Sequence, residues 1–270
     1  MNIGVIGLGE MGSTFLEGLF SAGYQDIEVF AYNRTGKKTY ALHEKFPGLT
    51  VSNTIEAVID KSTILVLALP FSVIQGFPPP VVSALKEKKP LTIVFCGYVP
   101  MRLLQRHLMT KVVKAYPNIN WAIGLGVTVL HFGFQFNQNE KTTIFDFLSR
   151  ISDVYEISED HFRPFSNLMS CGPALWIKMI DLFIKANVER YSIDYALAFE
   201  VTRKTIEGTF KLMKEKNCSS EELIRMVARP GGATEVGLNC FEQFLPEIFN
   251  NTIEQISSRD NSRIQKLAIE

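Results

Sequence analysis

The sequence predicts an α/β chain: a doubly wound parallel sheet comes first, and an all-α portion follows. Three observations carry this expectation. Asn2, Ile3, Gly4, Val5 and Ile6 form an apolar strand that runs straight into Gly7, Leu8, Gly9, Glu10, Met11 and Gly12, a GxGxxG spacing, and residues 13–20 continue at helical period. Apolar runs at 63–69 and 91–95 then alternate with helical stretches, the pattern of parallel strands joined by crossover helices. Beyond Pro173 no strand pattern returns. Together these features describe a Rossmann-type sheet with a helical appendage.

The first turn explains itself locally. Gly7 permits the tight corner, Gly9 lets the backbone approach a pyrophosphate, and Gly12 allows helix and strand to pack closely, while the helix start offers free N–H groups to phosphate oxygens. Residues 27–32 alternate as a second strand and deliver Asn33, Arg34 and Thr35 at its end. That is about twenty residues past the glycines, where an NAD site usually carries an acid for the ribose 2′-hydroxyl. No acid stands there, and a small polar residue followed by arginine suits a 2′-phosphate. NADP is therefore the favoured cofactor, with NAD and a merely solvated arginine left open.

Leu49, Thr50 and Val51 make a short third strand, and Ser52, Asn53 and Thr54 form a turn and N-cap for a helix near Ile55. The 63–69 run is stopped by Pro70, and the 91–95 run ends at Cys96 and Gly97. Residues 111–115 form one more strand, closed by Tyr116, Pro117 and Asn118, and 124–132 continues the sheet. Residues 140–151 read as a helix and 158–170 as polar and irregular.

With 28 basic and 28 acidic residues and 46% hydrophobic content, the chain lacks the field that recruits nucleic acid or an anionic membrane. No apolar run reaches the length of a membrane span, and the first run lacks a basic leader, so a cytoplasmic address is expected. Cys96, Cys171, Cys218 and Cys240 show no CxxC pairing, and His43, His107, His131 and His161 show no ligand spacing. Neither a metal site nor a disulfide framework is indicated.

In the second half, residues 174–190 are apolar almost all round, which marks a helix buried on most of its surface. A second long helix starts from Ser192, Ser219 with Glu222 makes a capping box for a third, and 238–256 is amphipathic. Helices this apolar suggest that two chains share one helical core; packing against the first domain is the alternative. Between the third and last helices stand Arg229, Pro230, Gly231, Gly232, Ala233 and Thr234. Paired glycines expose backbone N–H groups, and Thr234 projects a hydroxyl from the same concave turn, an arrangement for a small carboxylate. As a plain helix connection, the same residues would supply an N-capping threonine.

These motifs, in this order, resemble the pyrroline-5-carboxylate reductase family: the GxGxMG of Gly7, Gly9, Met11 and Gly12, Pro117 with Asn118, Gly172 with Pro173 and Ala174, and the PGGxT of Pro230, Gly231, Gly232 and Thr234. The resemblance covers nearly the whole chain. It implies a nucleotide-binding domain over 1–161, an α-helical dimerisation and substrate domain over 162–270, and NAD(P)H-dependent reduction of a cyclic imino acid to proline. By resemblance, Thr234 hydrogen-bonds the imine nitrogen, and Arg229, Gly231, Gly232 and Ala233 receive the substrate carboxylate. Asn53 matches a cofactor-contacting asparagine, and Leu8, Glu10, Asn33, Arg34, Leu69, Pro70 and Cys96 complete the expected cofactor contacts. A homodimer through the C-terminal helices is implied, and a higher oligomer is compatible with it. The chain departs from the family at Arg229 (serine there), Leu69 (lysine), Cys171 (serine) and Lys114 (arginine). Two alternatives stay open. A β-hydroxyacid dehydrogenase shares the GLGxMG opening, but its lysine must follow a glycine by one helical turn, and Lys178 lies too far from Gly172. A paralogue that binds NADPH without reducing an imine is the other.

Overall fold

The computed structural model of the chain describes residues 1–23 and 27–269. It divides into two compact units, Met1–Gly172 and Pro173–Lys266.

The first unit is built on an eight-stranded sheet: β1 (Asn2–Ile6), β2 (Glu28–Tyr32), β3 (Leu49–Val51), β4 (Ile64–Leu67), β5 (Leu91–Val94), β6 (Val112–Pro117), β7 (Gly126–Phe132) and β8 (Ser152–Glu156), in the order 3-2-1-4-5-6-7-8. The first six strands run parallel; β7 is antiparallel to β6, and β8 is parallel to β7. Helices α1 (Glu10–Ser21), α2 (Gly36–Lys45), α3 (Ile55–Lys61), α4 (Phe71–Gln75), α5 (Pro79–Lys88), α6 (Met101–Leu108) and α7 (Gln138–Leu148) supply the connections. Strand order reverses between β1 and β4, which opens a crevice at their carboxyl ends. All four residues of β4 are buried, as a strand covered on both faces must be. One apolar layer gathers Phe15, Leu16, Leu19, Trp121, Phe147 and Leu148, and the other gathers Val58, Ile59, Phe71, Leu85 and Leu104.

Trp121 ties the first layer together. It sits in a 3-10 turn at Ile119–Ile123, is fully buried, and lies 5.3 Å from the Phe15 ring of α1. A Cβ on Gly18 would come within 2.2 Å of its carbonyl oxygen, and one on Gly126 within 2.0 Å of its indole ring, so both glycines are required by close approach. The indole N–H donates to Thr128 Oγ1 at 2.9 Å, Thr128 donates to Ser152 Oγ at 2.8 Å, and Ser152 donates to the Leu148 carbonyl at 2.9 Å. Each polar group along this relay thus finds a partner.

Several elements differ from the sequence expectation. The sequence signals no strand at β8, where Ser152, Asp153, Val154, Tyr155 and Glu156 are too polar to mark one; they lie at the sheet edge, where polarity blunts further pairing. The helix expected over 140–151 spans Gln138–Leu148, opened by an Asn137–Glu140 capping box. The stretch 158–170 is a run of short helical turns that includes α8 (Phe162–Phe165), with Phe162 and Met169 buried.

The second unit consists of α9 (Gly172–Tyr191), α10 (Tyr195–Lys216), α11 (Ser220–Val227) and α12 (Ala233–Ile269). Ser192 does not start α10: it adopts φ 52°, left-handed, and the Asp194 side chain caps the helix by accepting the Leu197 N–H at 2.8 Å. The last helix is longer at both ends than the expected 238–256 and carries Pro246 inside it. Trp176 meets Phe249, and Phe183 meets Phe241, edge to face between α9 and α12. The burial expected of 174–190 is not met within one chain. Ile184 is buried, but Leu182, Phe183, Leu197, Phe210 and Val236 are each more than half exposed.

Thr128→Val should leave the buried Trp121 indole N–H without an acceptor and cost about 1–3 kcal/mol. The urea unfolding midpoint would read the loss, and an unchanged midpoint would contradict this account of the core.

Candidate functional site

The crevice at the carboxyl ends of β1 and β4 is shaped by backbone contacts. Gly7 adopts φ +97°, and a Cβ there would lie 2.4 Å from the Ala68 carbonyl oxygen. A Cβ on Gly12 would lie 2.0 Å from the Gly7 carbonyl oxygen, whereas Gly9 faces open space. The Ala68 N–H donates to Ile6 and the Gly7 N–H to Tyr32, so the corner is pinned on both sides. Gly9 is the N-cap of α1, with no side chain to cap it, and the first intrahelical bond is from Ser13 N–H to Gly9 oxygen at 3.0 Å. The N–H groups of Glu10, Met11 and Gly12 consequently have no acceptor within the helix, and the macrodipole adds partial positive charge where they point. This open glycine cradle at a helix start fits the pyrophosphate of a dinucleotide.

The other cofactor candidates follow the ends of successive parallel strands. After β2, Asn33 has a structural task beyond the expected cofactor contact. Its Oδ1 accepts the Leu8 N–H at 3.0 Å, while its Nδ2 donates to Thr35, so it clasps the glycine turn to the next strand. Arg34 beside it is exposed. After β3, Asn53 is exposed and directly precedes Thr54, whose hydroxyl caps α3 by accepting the Ala57 N–H. After β4, the Leu69 carbonyl accepts the Cys96 thiol at 3.4 Å, and Pro70 is the N-cap residue of α4. Cys96, after β5, is 2% exposed. Burial pushes its thiol up to about 12 against the opposing field of Lys114, so sulfur stays protonated and unreactive.

A further polar hub lies outside the residues that the sequence singled out as a site. Lys114 on β6 is buried, and its Nζ reaches Glu159 Oε1 at 3.0 Å and lies 4.4 Å from the centre of the Phe162 ring. The same Glu159 oxygen accepts the Met101 N–H at the start of α6 at 2.6 Å. Burial lowers the Lys114 pKa, and the Glu159 carboxylate opposes that shift. One carboxylate therefore holds a helix start and a strand together. Nearby, Asn118 at the end of β6 accepts the Val127 N–H at 3.1 Å and fixes the turn into β7.

In the second unit the turn before α12 has a defined internal bonding. Gly231 adopts φ +72° and donates its N–H to Glu235 Oε2 at 2.7 Å; Gly232 donates to the Arg229 carbonyl at 2.9 Å. Gly232 is thus the residue before the first helical turn, and Thr234 lies inside that turn, so the threonine is not the N-cap. Arg229, Ala233 and Thr234 are exposed. The N–H groups of Ala233, Thr234 and Glu235 open the helix and have no acceptor within it. Lys178 is a solvated partner of Asp181 at 3.4 Å, three residues along α9. Among the described residues no cluster of His, Cys, Asp and Glu could hold a metal ion, and no helix is long and apolar enough to cross a membrane.

Residues 159–263 match the family model described as pyrroline-5-carboxylate reductase dimerisation, and residues 2–93 match the one described as NADP oxidoreductase, coenzyme F420-dependent. The pyrroline-5-carboxylate reductase of Aquifex aeolicus is 26% identical over 99% of this chain and 97% of its own. ComE operon protein 4 of Bacillus subtilis is 24% identical over 94% and 93% respectively. Among solved structures, a pyrroline-5-carboxylate reductase from Coxiella burnetii superposes with a TM-score of 0.85 at 24% identity, covering 97% of each chain. Plasmodium falciparum pyrroline carboxylate reductase, with NADP bound, superposes at 0.80 and 22% identity, covering 98% of this chain and 97% of its own. The structural likenesses establish the fold over nearly the whole length of both partners. The two family models fall in the expected order, one on the glycine crevice and the other on the helices, and the chain is similar to pyrroline-5-carboxylate reductases along nearly its whole length.

Proposed function

We propose that this protein reduces 1-pyrroline-5-carboxylate to L-proline with NADPH. The observation that carries the reading is the end-to-end likeness to a pyrroline-5-carboxylate reductase. The open glycine cradle supports it from the physical side.

In this reading residues 1–161 bind the nucleotide, and residues 162–270 form the dimerisation and substrate domain. The α1 N–H groups, with Gly7, Leu8, Gly9, Glu10, Met11 and Gly12, hold the pyrophosphate. Asn33 fixes the turn, and Arg34 offers a permanently charged planar fork to a 2′-phosphate. Asn53, Leu69, Pro70 and Cys96 line the remaining strand ends, with Cys96 contributing backbone because its thiol is buried. NADPH supplies the hydride. The chemical demand on the chain is then modest, since a protonated imine carbon is already electrophilic. The chain must orient it within about 3.5 Å of the donor and exclude water. The Thr234 hydroxyl accepts the N–H of the protonated ring nitrogen, and Arg229, Gly231, Gly232 and Ala233 receive the carboxylate. No nucleophile or metal is required.

The exposed apolar residues of α9, α10 and α12 favour a homodimer in which a second copy covers them. A stable interface of standard size buries about 800 Å² per partner. A cytoplasmic location accords with the cofactor. The relative named for an operon rather than a reaction keeps one second reading in view, a paralogue that binds NADPH without turning over an imine.

Purified protein should oxidise NADPH on addition of 1-pyrroline-5-carboxylate. Thr234→Ala should lower kcat/KM about ten- to a hundredfold, the worth of a hydrogen bond to a charged group. NADPH binding with no turnover in the wild type would favour the second reading, and unchanged kinetics in the variant would remove Thr234 from the site. Light scattering should give about twice the 30.5 kDa chain mass, whereas a stable monomer would contradict the shared helical core.

A further inference from the structure

Two hydrogen bonds inside the 229–235 turn decide which of its N–H groups a ligand can reach. Glu235, the third residue of α12, folds its carboxylate back so that Oε2 accepts the Gly231 N–H at 2.7 Å. The neighbouring Gly232 N–H is taken by the Arg229 carbonyl. Gly231 is held at φ +72°, a left-handed conformation that fixes where its N–H points and that other residues rarely adopt. The position suits an anion, because the start of a 37-residue helix attracts negative charge. The turn therefore already carries one carboxylate, and it is the chain's own.

We propose that Glu235 is a specificity-determining residue: its carboxylate competes with that of an acidic imine for the Gly231 N–H and handicaps acids relative to neutral rings. The inference rests on the reading of this turn as the substrate-carboxylate site. An N–H group has one hydrogen to give, and two carboxylates converging on it repel. An acid must displace Glu235 or shift to the open N–H groups of Ala233 and Thr234, with the exposed Arg229 as its counter-charge. A ring without a carboxylate makes no such demand.

The test compares wild type, Glu235→Gln and Glu235→Ala on 1-pyrroline-5-carboxylate and on 1-pyrroline, the same ring without the acid. Glutamine keeps an acceptor for Gly231 and removes the charge; alanine removes both. In both variants KM for the acid should fall about three- to tenfold, the size of one like-charge contact near water, while kcat and the KM for 1-pyrroline stay put. Calorimetry of L-proline and pyrrolidine on the NADP-loaded protein should show the same selective gain without turnover. Acid KM and L-proline affinity unchanged in both variants, or acid and neutral rings shifting together as a merely structural cap would cause, overturn the proposal. If wild type and variants neither reduce nor bind any of these four compounds, the reading of the turn itself fails, and the inference falls with it.

Discussion

The first unit depends on how closely α1, β1 and the end of β4 approach one another, and two carbonyl oxygens set that limit. A Cβ at position 12 would stand 2.0 Å from the Gly7 oxygen, and one at position 7 would stand 2.4 Å from the Ala68 oxygen. Hydrogen at both places lets the helix begin directly over the strand end, with its unpaired N–H groups aimed into the crevice at the switch between β1 and β4. Asn33 then clasps the turn to β2, and Trp121 braces the far side of α1 through Phe15 and Gly18. The buried core thus fixes the orientation of the polar groups that a nucleotide would meet.

The second unit obeys a different constraint. Its four helices carry more apolar surface than they cover, and Ile184 is buried while Leu182 and Phe183 beside it are not. A monomer seldom leaves such contiguous apolar surface in water. The dimerisation family model falls on this part of the chain, which gives the uncovered faces a purpose consistent with their chemistry.

Much of this was legible in the sequence because it rests on local rules. The glycine spacing, the apolar run of β4 and the Ser219–Glu222 capping box each announce a conformation through a few adjacent residues, and the structure has all three. What escaped notice depends on partners distant in the chain. Edge strand β8 is polar and mostly exposed, so no periodicity marks it. The Lys114–Glu159 pair joins residues 45 apart, and no motif signals it. At the turn before α12 the loop itself was visible, but the return of Glu235 onto Gly231 was not. A glutamate three residues past a helix cap was the available signal, and it is the one that identifies capping boxes elsewhere in this chain.

A glycine crevice built in this way should hold a phosphorylated dinucleotide through backbone N–H groups. Calorimetric titration of NADPH and NADH into wild type and into Gly12→Val, with circular dichroism to establish that the variant is folded, tests it most directly. Wild type should bind saturably, tighter for NADPH than for NADH, and the folded variant should lose affinity by tenfold or more, on the order of 1.4 kcal/mol. Equal NADPH affinity in the two proteins would contradict it.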